Sequence, residues 1–142
     1  VILAAFLPVL AGQSGNTGCQ ALAVTLRGLT LGEIKDGDGM KLLTKEGVLG
    51  ALNGGPVGLV AGVAMYVTAT GQQSPDALML SLVVFLAMIG SCTVSGICGA
   101  LVPLTLKRYG ADPATASSIF LTTATDVVSM GSFLGLATLI LL

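Results

Sequence analysis

Four apolar runs take up most of this chain, and almost every charge falls in the stretches between them. A membrane-crossing helix needs about 20 predominantly apolar residues, and each run reaches that length. The runs place helices at about 1–26, 46–70, 77–106 and 113–141, all within one transmembrane domain over residues 1–142. Charged residues make up 9% and hydrophobic residues 54% of the 142, against roughly 25% charged in ordinary globular chains. The fold class is therefore all-α, a polytopic bundle of about four transmembrane helices with lipid around it.

The breaks between runs carry their own signals. "RGLTLGEIKDGDGMK" combines glycines with most of the charge and reads as a loop with room for a short surface helix. "GQQSPD" reads as a polar turn. "KRYGADP" ends one helix at Gly110 and starts the next, with Asp112 as N-cap and Pro113 at the first helical position. All six basic residues lie in the first and third connections, Arg27, Lys35, Lys41 and Lys45 in one and Lys107 and Arg108 in the other. The positive-inside rule makes those connections, 27–45 and 107–112, cytoplasmic. The membrane expected is the plasma (inner) membrane. Glu33, Asp36, Asp38 and Asp76 read as solvated loop charges.

Other classes fit poorly. A net charge of −1 leaves no basic footprint for nucleic acid. Histidine is absent, which removes the commonest zinc ligand and the usual general base. Cys19, Cys92 and Cys98 form no CxxC pair and read as small buried packing residues. No nucleophile–base pair suggests an enzyme. The chain begins at Val1 with no charged n-region, so its start is not a signal peptide and reads as a fragment of a longer polypeptide.

Small residues recur as stripes. Gly47, Gly50, Gly54, Gly58 and Gly62 share one face of the second helix, and Ser91, Ser95 and Gly99 one face of the third. Such faces let helices approach closely in lipid, and packing is the simpler reading of both. Pro56 is expected to kink the second helix.

The fourth helix is different. Thr115, Ser118, Thr122, Asp126 and Ser129 recur at three or four residues, with Thr125 adjoining. Asp126 falls near midspan, where a charge costs about 3 kcal/mol on insertion scales. It should face protein or water, as a station on an ion or proton path. The alternative is helix glue, an aspartate hydrogen-bonded to its hydroxyl neighbours.

"GQSGNTGCQ" on the first helix places Gln13, Asn16 and Gln20 on one face, with Gly12, Gly15 and Gly18 thinning the helix around them. Asn16 falls at about the depth of Asp126. The glycines expose carbonyls or permit a local break, tolerable at that depth only against protein or water. Amides, hydroxyls, carbonyls and one carboxylate suit a hard cation such as Mg²⁺, which keeps several of its waters. Glu46, seven residues before Asn53 on one face, reads either as an interfacial charge paired with Lys45 or Lys41, or as a cation attractor at the inner mouth.

"PVLAGQSGNTGCQ" (Pro8 to Gln20) resembles the P-x-L-x-G-x-x-G-N-x-G-x-Q signature of the MgtE magnesium channels and of solute carrier family 41. "KEGVLG" resembles the start of that family's third membrane helix, and "GADPA" with "TTATDVV" its fifth. The resemblance implies Mg²⁺ transport, with the divalent ion as cargo and no catalytic cofactor, through a pore between two copies of the chain. It implies metal contacts from Asp126, Asn16, the carbonyls around Gly12 and Gly15, and Glu46, to which the hydroxyl stripe adds Thr122. It also implies five membrane helices, of which these four are the second to fifth, so that the first helix and the regulatory cytoplasmic domains are lacking here. Ser118 stands where some members carry asparagine. Two other transport readings remain: a proton- or sodium-coupled divalent carrier, and a transition-metal transporter using Met88, Cys92 and Met130. A membrane anchor or assembly module is the reading outside transport.

Overall fold

The computed structural model of the chain describes residues 2–35 and 37–141, apart from the side chains of 115–117 and 141. Asp36 and the Thr115 side chain thus lie outside the described residues. Four helices follow in order: α1 (Ile2–Thr30), α2 (Gly39–Gly71), α3 (Ala77–Arg108) and α4 (Pro113–Leu141). By length and composition, Gly39–Gly71, Ala77–Arg108 and Ser118–Ile140 are apolar enough to cross a membrane. The helix α1 is equally long, but its Gly, Gln, Ser, Asn and Thr segment dilutes its apolar character. The chain is an integral membrane protein in which α1 is the polar helix.

Two boundaries differ from the sequence reading. The helix α2 begins at Gly39 rather than near 46, and α1 runs on to Thr30. The connection between them shrinks to 31–38. The segment "MKLLTK" mixes apolar and charged residues, which hides it from an apolar-run criterion, yet its Met, Lys and Leu residues are good helix formers. Pro8, Gly12, Gly15 and Gly18 do not break α1, which is continuous through all four.

The helix α3 is the centre of the bundle. It packs against all three other helices, most extensively against α2, whereas α1 and α2 meet only sparingly. The α2–α3 seam is built on the glycine stripe. A Cβ on Gly54 would lie 2.9 Å from Ile89 Cα, and one on Gly58 3.1 Å from the Phe85 carbonyl oxygen. Gly50 lies against the Cys92 carbonyl, and Gly96 returns the arrangement by lying against the Glu46 carbonyl. Backbone meets backbone along the seam, where van der Waals packing drives association in lipid. Gly99 opens an adjoining face of α3 to Gly18, Ala21 and Leu22 of α1. An apolar cluster around Leu10, Met65, Val83, Val84, Met88 and Phe133 ties all four helices together at the end away from the basic residues.

Candidate functional site

The depth expected of Asn16 and Asp126 follows from one close contact. Gly18 of α1 receives Thr125 of α4: a Cβ there would lie 3.1 Å from Thr125 Cγ2 and 3.3 Å from the Ser95 carbonyl oxygen. The two helices run in opposite directions, since Leu7 and Leu136 pack on one apolar cluster. Asn16 is two residues from this contact and Asp126 one, both toward that cluster. At about 1.5 Å rise per residue they are level to within a few Å.

They do not share a face. Two residues turn a helix by about 200°, so Asn16 points away from the side of α1 that meets α4. Asn16 instead lines a groove of about 610 Å³ between α1 and α2, with Gln13, Gln20, Cys19 and Asn53. Cys19 is exposed there and does not meet the expectation of a buried packing residue. Gly12 and Gly15 are open as well, with nothing within 4 Å of an added Cβ.

Toward the basic end lies a second cavity of about 270 Å³, which shares Thr17, Gln20 and Asn53 with the first and reaches Lys45 and Glu46. Glu46 is 5% exposed. Its Oε1 is buried and has no hydrogen-bond partner among the described residues; the Lys45 ammonium stands 3.9 Å away. The pairing with Lys45 expected from sequence is present but too long to be a hydrogen bond. A buried carboxylate left in that condition is costly, and the cavity in front of it gives a counter-charge room.

Asp126 is half-buried on α4. Its hydroxyl neighbours do not serve it. Thr122 donates to the Ser118 carbonyl at 2.7 Å, Thr125 to the Thr122 carbonyl at 3.0 Å, and Ser129 to the carbonyl of Asp126 itself at 3.1 Å. Among the described residues nothing hydrogen-bonds or ion-pairs with the Asp126 carboxylate. These hydroxyls therefore spend their protons on their own helix backbone; Thr125 and Ser129 are buried, so of the three only Thr122 keeps an exposed oxygen near the carboxylate.

The sulfur site is not assembled. Met88 and Cys92 are fully buried and face Gly58 and Gly54 inside the α2–α3 seam, while Met130 is 44% exposed on α4. No group of three or more His, Cys, Asp or Glu side chains able to hold a metal occurs among the described residues. Oxygen ligands from amides, hydroxyls and single carboxylates are what the chain offers.

Sequence reading put Asn53 on the face of Glu46 but did not join Thr17 and Gln20 to them. The signal was present as two matching intervals, Gln13 to Gln20 on α1 and Glu46 to Asn53 on α2, each of seven residues. Paired polar stripes of equal period on neighbouring helices would line one groove.

Residues 7–136 match the family model MgtE, described as a divalent cation transporter. The magnesium transporter MgtE of Enterococcus faecalis is 34% identical over 138 residues, covering 97% of this chain. Those of Bacillus subtilis and Thermus thermophilus are 30% and 31% identical, covering 97% and 98% of it. The chain spans 29% of the length of each of these relatives. With the signature on α1, the aspartate on α4 and a family match across nearly all of its length, this chain belongs to the MgtE family of divalent cation transporters.

Proposed function

We propose that residues 1–142 form a single transmembrane domain that passes Mg²⁺ through an oxygen-lined path between two copies of the chain. Asp126 holds a largely hydrated ion. The observation that carries this reading is a midspan carboxylate without a partner among the described residues, whose hydroxyl neighbours are turned into the helix backbone. Two such carboxylates facing each other would repel, and a divalent ion between them relieves that repulsion. Retained water spreads the charge and keeps binding weak enough for release.

Thr122, one turn before Asp126 on α4, adds a hydroxyl oxygen, while Asn16 and the carbonyls about Gly12 and Gly15 add theirs at another part of the path, on the side of α1 away from α4. The open face at Gly12 and Gly15 supports this. Glu46 draws cations into the inner mouth, at the end that carries the basic residues and faces the cytoplasm of a plasma-membrane protein. Burial of Met88 and Cys92 disfavours a soft-metal pathway.

Mg²⁺ uptake into proteoliposomes tests the proposal. Asp126→Asn should bring uptake down to that of protein-free vesicles while the protein remains folded and monodisperse. Undiminished uptake would reject the site. Uptake that requires an opposing proton or Na⁺ gradient would move the mechanism to a coupled carrier.

A further inference from the structure

One cavity lies apart from the ion path. It occupies about 570 Å³ at the basic end, between the α1–α2 connection and the last turn of α3. Its walls are of two kinds. Leu29, Ile34 and Leu104 make it apolar, and Lys35, Lys107 and Arg108 bring three cations to its rim.

Local structure holds this shape. The chain leaves α1 through Gly32, whose φ of +68° suits glycine. The backbone N–H groups of Glu33 and Ile34 both return to the Gly28 carbonyl, at 2.9 and 3.4 Å. The Ile34 side chain then rests on Gly28, where a Cβ would come within 2.8 Å of Ile34 Cδ1. The connection is thereby folded down beside Leu104, which approaches Gly39 from α3.

The three cations converge on this cavity. Among the described residues none of them pairs with a carboxylate, and Asp38 is taken by Lys41 at 3.6 Å. Tyr109, next to Arg108, is 82% exposed, as an aromatic at the level of lipid head groups would be. A cavity with convergent cations over apolar walls, at the edge of a membrane span, matches an amphiphile with an anionic head.

We propose that this cavity binds an anionic phospholipid, its phosphate held by Lys35, Lys107 and Arg108 and the first acyl carbons lying against Leu29 and Leu104. Arg108 brings a planar fork suited to phosphate oxygens, and the lysines add point charge. Basic pockets between membrane helices on the cytoplasmic side take lipid head groups by this chemistry.

Native mass spectrometry of protein extracted from mixed phosphatidylcholine and phosphatidylglycerol bilayers reads the result. Phosphatidylglycerol should be retained in preference, and Lys35→Gln or the double variant K107Q/R108Q should weaken retention by about fivefold per charge removed. The double variant R27Q/K41Q removes the same charge outside the cavity and should leave retention unchanged. Leu104→Gln, which keeps the charge, should also lower it. Soluble glycerol phosphate should not displace the lipid. Equal retention of both lipids, equal losses in the two double variants, or displacement by glycerol phosphate would each overturn the proposal. Lys35→Gln, on the connection outside the helices, keeps the test open should the α3 double variant fail to fold.

Discussion

Thr125 of α4 seats its methyl group on Gly18 of α1, so that a Cβ on Gly18 would stand 3.1 Å from Thr125 Cγ2. This single approach sets the relative height of the helix bearing Asn16 and the helix bearing Asp126. Gly18→Ala should destabilise the bundle by about 1–3 kcal/mol through overpacking. Thr125→Ser removes the offending methyl and should recover part of the loss. A double-mutant cycle on thermal unfolding in detergent measures the coupling; simple additivity would show that the two residues do not meet.

Glycines of α2 should divide sharply by face. Gly50 lies against the Cys92 carbonyl, a backbone atom that cannot swing away, whereas Gly55 has nothing within 4 Å of an added Cβ. Gly50→Ala should prevent stable assembly of α2 on α3. Gly55→Ala should be neutral or stabilising by up to about 1 kcal/mol, from helix propensity. Melting temperatures of the two purified variants decide this.

Glu46 should trade stability against transport. Its buried Oε1 lacks a hydrogen-bond partner among the described residues, so an amide of equal size removes a buried charge. Glu46→Gln should raise unfolding stability by about 1 kcal/mol or more and at the same time lower the Mg²⁺ uptake rate. A variant that loses stability and keeps full uptake would make Glu46 a structural anchor instead.

Cysteine chemistry reports which cavity is wet. Cys19 is exposed and lines the α1–α2 groove, while Cys92 is buried in the α2–α3 seam. Only a hydrated thiol ionises readily enough to react. A membrane-impermeant methanethiosulfonate reagent should therefore modify Cys19 and spare Cys92 in intact bilayers. Mass spectrometry of labelled peptides gives the answer, and an unmodified Cys19 would mean that lipid fills the groove.

Much of the bundle was legible because hydrophobic length is a local property. The starts of α3 and α4, at Ala77 and Pro113, follow from "GQQSPD" and "KRYGADP" without tertiary information. The start of α2 did not, because residues 39–45 are amphipathic and only their attachment to a long apolar helix makes them its first turns. Asp126 announced itself as the one charge in a run from Thr115 to the end of the chain.

The sequence by itself determined that this chain enters lipid, that it forms four long helices, which end carries the basic charge and which carboxylate falls near the middle of the last helix. These follow from transfer energies and helical period, which depend on neighbours along the chain. Only the tertiary structure decided that Asn16, level with Asp126, points away from the side of α1 that meets α4, that Glu46 looks into a groove with Gln20 and Asn53, and that Met88 and Cys92 are sealed away. Those facts depend on which small-residue face meets which helix. In lipid that choice is made by close packing across contacts distant in sequence, not by apolarity, which most faces of these helices share.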